Sequence, residues 1–233
     1  MAVTEIAILR VHAGVTDSTL RDTFRGATTV QEAWHARALP DRPSSASARA
    51  VAYFRGIDDE TQIILTSAWG SVEEHWTWIR SDDNKQLMQS SNLTNIVANQ
   101  GRPNQPGGLV LFHLDTDIYG SSHAAASKDT IALLDSPVIS VERFIVDTEM
   151  KQVFAETLEK AKASMEKVVY PHLVRSGRSV DREAEGEEFV LVSGWSCVES
   201  HTQEFAASSE SFLYSQLAGI ASSVETQHYR RFL

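Results

Sequence analysis

Two stretches of this 233-residue sequence place an indole, a carboxylate and an imidazole at the same spacing. The first reads Trp69-Gly70-Ser71-Val72-Glu73-Glu74-His75, and the second Trp195-Ser196-Cys197-Val198-Glu199-Ser200-His201. An imidazole in an apolar setting is disfavoured as a cation, so it stays neutral and is poised as a base or a hydrogen-bond donor. If a helix follows each tryptophan, positions 72, 75, 76 and 79 share one face by the i, i+3, i+4, i+7 rule, and His75 turns inward with Val72, Trp76 and Ile79. By the same count His201 sides with Val198 and Phe205. The functional reading of both is a general base at a cavity mouth. The structural reading is a buried, bonded imidazole that holds its helix to the sheet, and two occurrences at matched places favour it.

Six residues bear on the same question. Trp69 and Trp195 end strands where an indole forms one wall of an apolar cavity and keeps its N–H for a polar ligand atom, or else simply packs in the core. Glu5 alternates with Ala7 and Leu9 on one face of the first strand, opposite Ile6 and Ile8. A carboxylate inside the fold has a raised pKa and is a strong base, whereas one this near the terminus is more often solvated. Tyr53, with Arg55 beside it in a hairpin, and His113 on a later strand are within reach of such a cavity, or lie at a sheet edge.

Other chemistries are missing their residues. The sequence has no G-x-x-x-x-G-K-[ST] loop, no G-x-G-x-x-G after a strand, no G-x-S-x-G elbow and no H-E-x-x-H. The eight histidines are scattered, none at i, i+4 spacing, so a metal site would need ligands from distant strands. Cys197 is the only cysteine, which excludes an intramolecular disulfide and a cysteine-based zinc site.

The elements that must position these residues follow from periodicity and punctuation. Residues 3–12 read as a strand, and Thr16 and Asp17 supply capping oxygens for a helix carrying Leu20, Phe24, Ala27 and Trp34. Residues 39–48, rich in Pro and Ser, read as a loop. Arg49–Ile57 and Gln62–Trp69 form a hairpin about the turn at residues 58–60. Ser71 to Glu74 is a capping box opening a helix through Trp76, Ile79 and Leu87. A Pro/Gly loop at 101–108 precedes a strand at Leu109–Asp115.

The second half repeats this β-α-β-β-α-β order: a strand from Pro137 to Val146, a helix from Thr148 with Phe154, Leu158, Ala161 and Met165 at helical spacing, then strands at 172–180 and 187–195 around an acidic turn at 181–186. A strand at Gln227–Leu233 closes it. The register is clearest in AWGSVEEH and GWSCVESH, whose tryptophans lie 126 residues apart. Residues 1–118 are thus a first module, 119–136 a connector long enough for one short helix, and 137–233 a second module.

A formal charge of −10 with no block of Lys or Arg argues against nucleic acid and anionic membranes as partners. The opening residues have no leader pattern, and no apolar run approaches the roughly 18 residues of a membrane helix. The chain reads as a soluble, cytoplasmic protein whose partner is small or neutral.

A β-α-β-β-α-β unit makes a four-stranded antiparallel sheet with its helices on one face, and a second copy is the natural cover for the other face. The unit order and the Trp69–Glu73 and Trp195–Glu199 motifs resemble the dimeric α+β barrel superfamily over nearly the whole chain. The nearest types are the stress-responsive barrel domains, the olivetolic acid cyclase type among them, and the antibiotic-biosynthesis monooxygenases. The resemblance implies an α+β fold of two tandem ferredoxin-like modules packed sheet to sheet as an intramolecular barrel. That makes a pseudo-dimer within one chain and leaves a further homodimer open. It also implies a cofactor-independent enzyme of secondary metabolism performing acid/base cyclisation, isomerisation or dehydration of a hydrophobic small-molecule substrate, a polyketide-like or terpenoid-like compound, in the barrel cavity. A cofactor-independent monooxygenase and a non-catalytic ligand-binding or stress-response protein are the alternatives. The cyclase type carries a tyrosine and a histidine where this chain has Trp78 and Asn84 (Glu204 and Glu210 in the second copy), so Trp78 becomes a substrate-facing candidate. Trp69 and Trp195 match a cavity tryptophan of the monooxygenase type, while Glu5 stands where that type has an asparagine. Haem stays open, because some relatives bind it through a histidine.

Overall fold

The computed structural model describes residues 2–90, 92–99, 101, 104–105, 108–119, 129–181 and 186–233. They form two compact units, Met1–His113 with Arg231–Leu233, and Leu114–Arg230.

The first module runs β1 (Val3–Arg10), α1 (Asp17–Ala38), β2 (Ala52–Gly56), β3 (Gln62–Trp69), α2 (Val72–Arg80), α3 (Asp82–Ser90), the single turn α4 (Leu93–Ile96) and β4 (Val110–Leu114). Its strands lie in the order β4-β1-β3-β2, with β1 and β2 antiparallel to β3. That is the order a β-α-β-β-α-β chain takes in a ferredoxin-like fold. Thr16 caps α1, its hydroxyl accepting the Thr19 N–H. The C-terminal end belongs here too: the Tyr53 N–H donates to the Leu233 carbonyl, and the Phe232 N–H donates to that of Tyr53.

The second module runs β5 (Val138–Val146), α5 (Lys151–Val169), β6 (Val174–Arg178), β7 (Glu187–Trp195), a π-helical turn (Ser200–Phe205), α6 (Ser211–Ile220) and β8 (Ser223–Arg231). Its order, β8-β5-β7-β6, repeats that of the first. The registers correspond: Val3 faces Trp69 across β1 and β3, and Val138 faces Trp195 across β5 and β7.

Several boundaries differ from the sequence reading, and among them β2 starts at Ala52 rather than at Arg49, which ends a short 3-10 turn over Ser47–Arg49. The helix opened by Ser71 stops at Ser81, whose backbone is extended at φ −65° and ψ 154°, and α3 begins anew with the Ser81 hydroxyl accepting the Asn84 N–H. Ser81 with Asp82 and Asp83 behind it is an N-terminal signal strong enough to split the helix. The last strand starts at Ser223 rather than 227, because its pairing with β5 continues to Ser223 opposite Ile145. Strand β6 is shorter than 172–180. Residues 120–128 of the connector, 182–185 of the acidic turn and 102–103 and 106–107 of the Pro/Gly loop lie outside the described residues. Among the described residues, no helix is long and apolar enough to cross a membrane.

Strand alternation gives the first sheet two distinct faces. Glu5, Ala7 and Leu9 of β1 lie opposite Ser67, Leu65 and Ile63 of β3, and Tyr53 of β2 lies opposite Leu65, so one sheet face carries them all. The other face carries Ile6, Phe54 and Ile64, each 0 % exposed.

Candidate active site

Between the Glu5 face of that sheet and the helices of the first module lies a cavity of about 340 Å³. The sheet contributes Glu5, Ala7, Leu9, Tyr53, Leu65 and Leu111. Across from them α1 contributes Phe24, Ala27 and Gln31, one helical face at i, i+3 and i+7. His75, Trp78 and Ile79 of α2 and Asn84 and Leu87 of α3 complete the wall. Met88 and Thr94 are exposed and mark the mouth, whereas Glu5, Tyr53 and His75 are buried and mark the floor. Trp78, not Trp76, is the buried indole of α2, so the inward face sits one position round from the stripe read in the sequence.

Glu5 is buried because β1 is an inner strand, between β4 and β3, which overrides its nearness to the terminus. One carboxyl oxygen accepts the Trp69 indole N–H at 2.7 Å. The other lies 3.4 Å from His75 Nε2. Burial pushes the Glu5 carboxyl up to about 7, against the indole bond, which favours the anion. His75 Nδ1 pairs with His113 Nε2 at 2.7 Å. Burial holds His75 well below the ordinary histidine range, so it is a neutral ring with one proton.

That single proton has two places. On Nε2 it faces a Glu5 carboxylate while Nδ1 accepts from His113; on Nδ1 it is donated to His113, and the bare Nε2 faces a protonated Glu5. Glu5, His75 and His113 therefore form one line of contacts in which the tautomer of His75 follows the charge on the carboxyl.

Two expected cavity residues stand behind the wall instead. Trp69 does not line the cavity; its ring stacks on His75 at 4.7 Å and its N–H is spent on Glu5. His113, 1 % exposed, lies behind His75 and meets it edge-on. Tyr53 does line the cavity, but its hydroxyl is committed. Thr28 gives its own proton to the Phe24 carbonyl at 2.9 Å, so in the 3.0 Å contact with Tyr53 the phenol is the donor. Arg55 pairs with Asp17 and takes no part.

The second module holds a related but closed constellation. Trp195 donates to the Ser140 and Ser193 hydroxyls at 3.0 and 2.9 Å, stacks on His201 at 4.7 Å, and His201 Nδ1 meets His228 Nε2 at 2.9 Å. In register, Ser140 stands where the first module has Glu5, and Glu142 stands where it has Ala7. Glu142 is 0 % exposed, neither oxygen meets hydrogen-bond geometry with a partner among the described residues, and one lies 3.7 Å from His201 Nε2. Burial raises its carboxyl to about 8. Phe144, Phe154 and Phe189 pack ring to ring at 5.3 and 4.9 Å where the first module has open space. Trp195 borders a depression of about 170 Å³ beside His172.

Sequence reasoning did not single out Arg49, Gln31, Glu142 or His228. Arg49 is 4 % exposed, with its guanidinium 5.7 Å from the Trp69 ring centroid. Its place after a Ser-rich loop gives no sign of this. Gln31 and Glu142 did leave a signal, each a polar residue in phase with an apolar face.

Haem would need a histidine nitrogen free to ligate iron. Among the described residues His75 is the one histidine on the cavity wall, and both its nitrogens are engaged. The cavity residues therefore do not fit a haem. No cluster of metal-ligating side chains occurs among the described residues either.

No protein-family model and no curated protein matches the chain. Solved structures match it along its length. A candidate monooxygenase from Fusobacterium nucleatum subsp. nucleatum shares 11% identity at a TM-score of 0.60, covering 100% of this chain and 93% of that one. An anthrone oxidase-like protein shares 11% at a TM-score of 0.60, covering 99% and 91%. A chlorite dismutase variant from Candidatus Nitrospira defluvii shares 9% at 0.56, covering 99% and 91%. The chain thus has the α+β, ferredoxin-like fold of these proteins. Likeness at this identity speaks to the fold alone.

Proposed function

We propose that the chain is a cofactor-independent enzyme that removes a proton from carbon in a hydrophobic small molecule held in the first-module cavity, with Glu5 as the general base. The observation that carries this is a buried carboxyl on the floor of an apolar cavity, pushed up to about 7 and wired through His75 to His113. A base works best when its pKa lies near the working pH, and a dry wall strengthens its hold on the transferring proton. The cavity volume of about 340 Å³ is at the lower end of the roughly 300–1,000 Å³ usual for small-molecule sites. The carbanion so formed then cyclises, isomerises or expels a leaving group. Trp69 keeps Glu5 in place, and the abstracted proton stays on the Glu5 carboxyl, because His75 already carries its one proton on Nε2 when Glu5 is ionised.

A second reading follows the same first step with oxygen. The likeness to a candidate monooxygenase and to an anthrone oxidase-like protein favours it. Here the substrate carbanion is itself the reductant of dioxygen: a CH₂ group and O₂ become C=O and H₂O, and no further reductant is needed.

Anthrone, an apolar ketone with an acidic CH₂ group, is the probe. Hydrogen–deuterium exchange at that CH₂ in D₂O without oxygen reports proton abstraction, and an oxygen electrode reports the second reading. The wild type is expected to exceed the buffer rate, rising with pH through about 7 as Glu5 ionises. Glu5→Gln is expected to lose about 10²–10⁴-fold of the exchange. Unchanged exchange in that variant overturns Glu5 as the base. Tight binding with no exchange in the wild type makes the protein a ligand carrier instead.

A further inference from the structure

Gln31 faces the cavity from the middle of an otherwise apolar helix face, and Arg49 decides which way its amide points. Arg49 Nη2 donates to Gln31 Oε1 at 3.0 Å and Nη1 donates to the Ser67 hydroxyl at 3.2 Å. A guanidinium has no acceptor, so the amide atom turned to it must be the oxygen. The Gln31 Nε2 group, with two N–H donors, is then the part left over, and it has no protein acceptor among the described residues. Ser67, held by the same guanidinium, lies directly across the strand pair from Glu5. One planar cation thus spans from the cross-strand neighbour of the base to the amide on the opposite wall.

We infer that Gln31 is the donor that holds the carbonyl oxygen of the substrate while Glu5 takes a proton from the carbon conjugated to it, and that the substrate is therefore an apolar ketone rather than a hydrocarbon or an alcohol. The inference rests on the proton-abstraction reading above. Taking that proton moves negative charge onto the carbonyl oxygen, and a preset N–H donor stabilises the enolate more than the ketone. Tyr53, another polar group on the cavity wall, gives its proton to Thr28 and has none to offer. Arg49 acts through Gln31 as a positioning residue, since a buried cation bonded to neutral oxygens fixes their orientation without touching the ligand.

The test pairs anthrone with 9,10-dihydroanthracene, the hydrocarbon of the same ring frame, measuring binding by quenching of tryptophan fluorescence and proton exchange by NMR. The wild type is expected to prefer the ketone. Gln31→Met is expected to lower ketone affinity about 2- to 10-fold, with hydrocarbon affinity unchanged, and to lower exchange by about 10²–10³-fold. Arg49→Met is expected to remove the same preference, and the double variant to be no worse than either single one, a result that simple loss of packing does not give. Gln31→Glu, nearly isosteric and without a donor when ionised, guards against a fold defect in the methionine variant and is expected to lose the preference as well. If Gln31→Met and Gln31→Glu keep the preference while Glu5→Gln loses exchange, the inference is wrong and the base stands. If the preference depends on Gln31 but Glu5→Gln exchanges normally, the base is wrong and the carbonyl donor stands. Failure of the wild type to bind either compound overturns the inference outright.

Discussion

The buried titratable groups make stability depend on pH in opposite senses. Glu5 and Glu142 have folded pKa values of about 7 and about 8, above the ordinary 4.5. Each keeps a proton in the folded state that the unfolded chain gives up, so its stabilising contribution is whole in acid and is lost as pH rises through 4.5 towards the folded value. His35 and His201 are drawn down to about 4 by burial, and His75 and His172 are lowered too. The unfolded chain protonates these first, so their contribution is whole above 6.5 and is lost as pH falls. Stability should peak near 6.5. Above it the loss is about 1.4 kcal/mol per pH unit for each carboxyl still protonated, from both up to 7 and from Glu142 alone between 7 and 8. Urea unfolding of the wild type and Glu142→Gln from pH 6.5 to 8 checks this. The variant should be flat above 7, and an unchanged slope there means Glu142 is not holding a proton. Sequence spacing alone brought Glu5, His75 and Trp69 forward. It could not pair His75 with His113 or His201 with His228, because each partner arrives on a strand whose register is fixed only by the folded sheet.

Elements turn those residues into a site, and the turn from β3 into α2 matters most. Ser71 caps α2 by accepting the Glu74 N–H, while Glu74 accepts the Gly70 N–H at 2.7 Å and pairs with Arg42 at 3.0 Å. This corner sets both Trp69, just before it, and His75, one turn into the helix. Ser71→Ala should cost about 1 kcal/mol in urea unfolding, the usual worth of such a cap. Gly70→Ala should cost a similar amount, because its Cβ would push aside the mobile ends of Glu74 and Arg42 and so break the Glu74 bond to the Gly70 N–H. Both variants should also weaken the stacking of His75 on Trp69, readable as a change in tryptophan emission, and unaltered emission from Gly70→Ala would mean that the corner does not hold the ring. The strand and helix order was legible because periodicity and capping are local signals. The break at Ser81 was not, because the apolar residues keep helical phase across it, and neither was the π turn at Ser200–Phe205, where phase alone predicts an ordinary helix.

On the scale of the whole chain, a duplicated module has kept its scaffold and lost its symmetry in one place. Both copies retain the strand order, the tryptophan stacked on a histidine and the histidine pair. They part company where side chains fill or leave the space between sheet and helices. Where β1 has Ala7 and Leu9, β5 has Glu142 and Phe144; where β3 has Ile63, β7 has Phe189. Each exchange adds volume to the second copy, and close-packed interiors leave no room for both a ring cluster and a ligand. The duplication was readable in the two motifs, but which copy stays open depended on residues whose facing was set by register. One ligand per chain is the consequence. Calorimetric titration with anthrone should saturate at one molecule per chain, and amide exchange with the ligand bound should slow in β1, α1 and α2 while that of β5 and β7 stays as it was. Two ligands per chain, or protection centred on Trp195 and His201, would place the working cavity in the copy whose interior is already full.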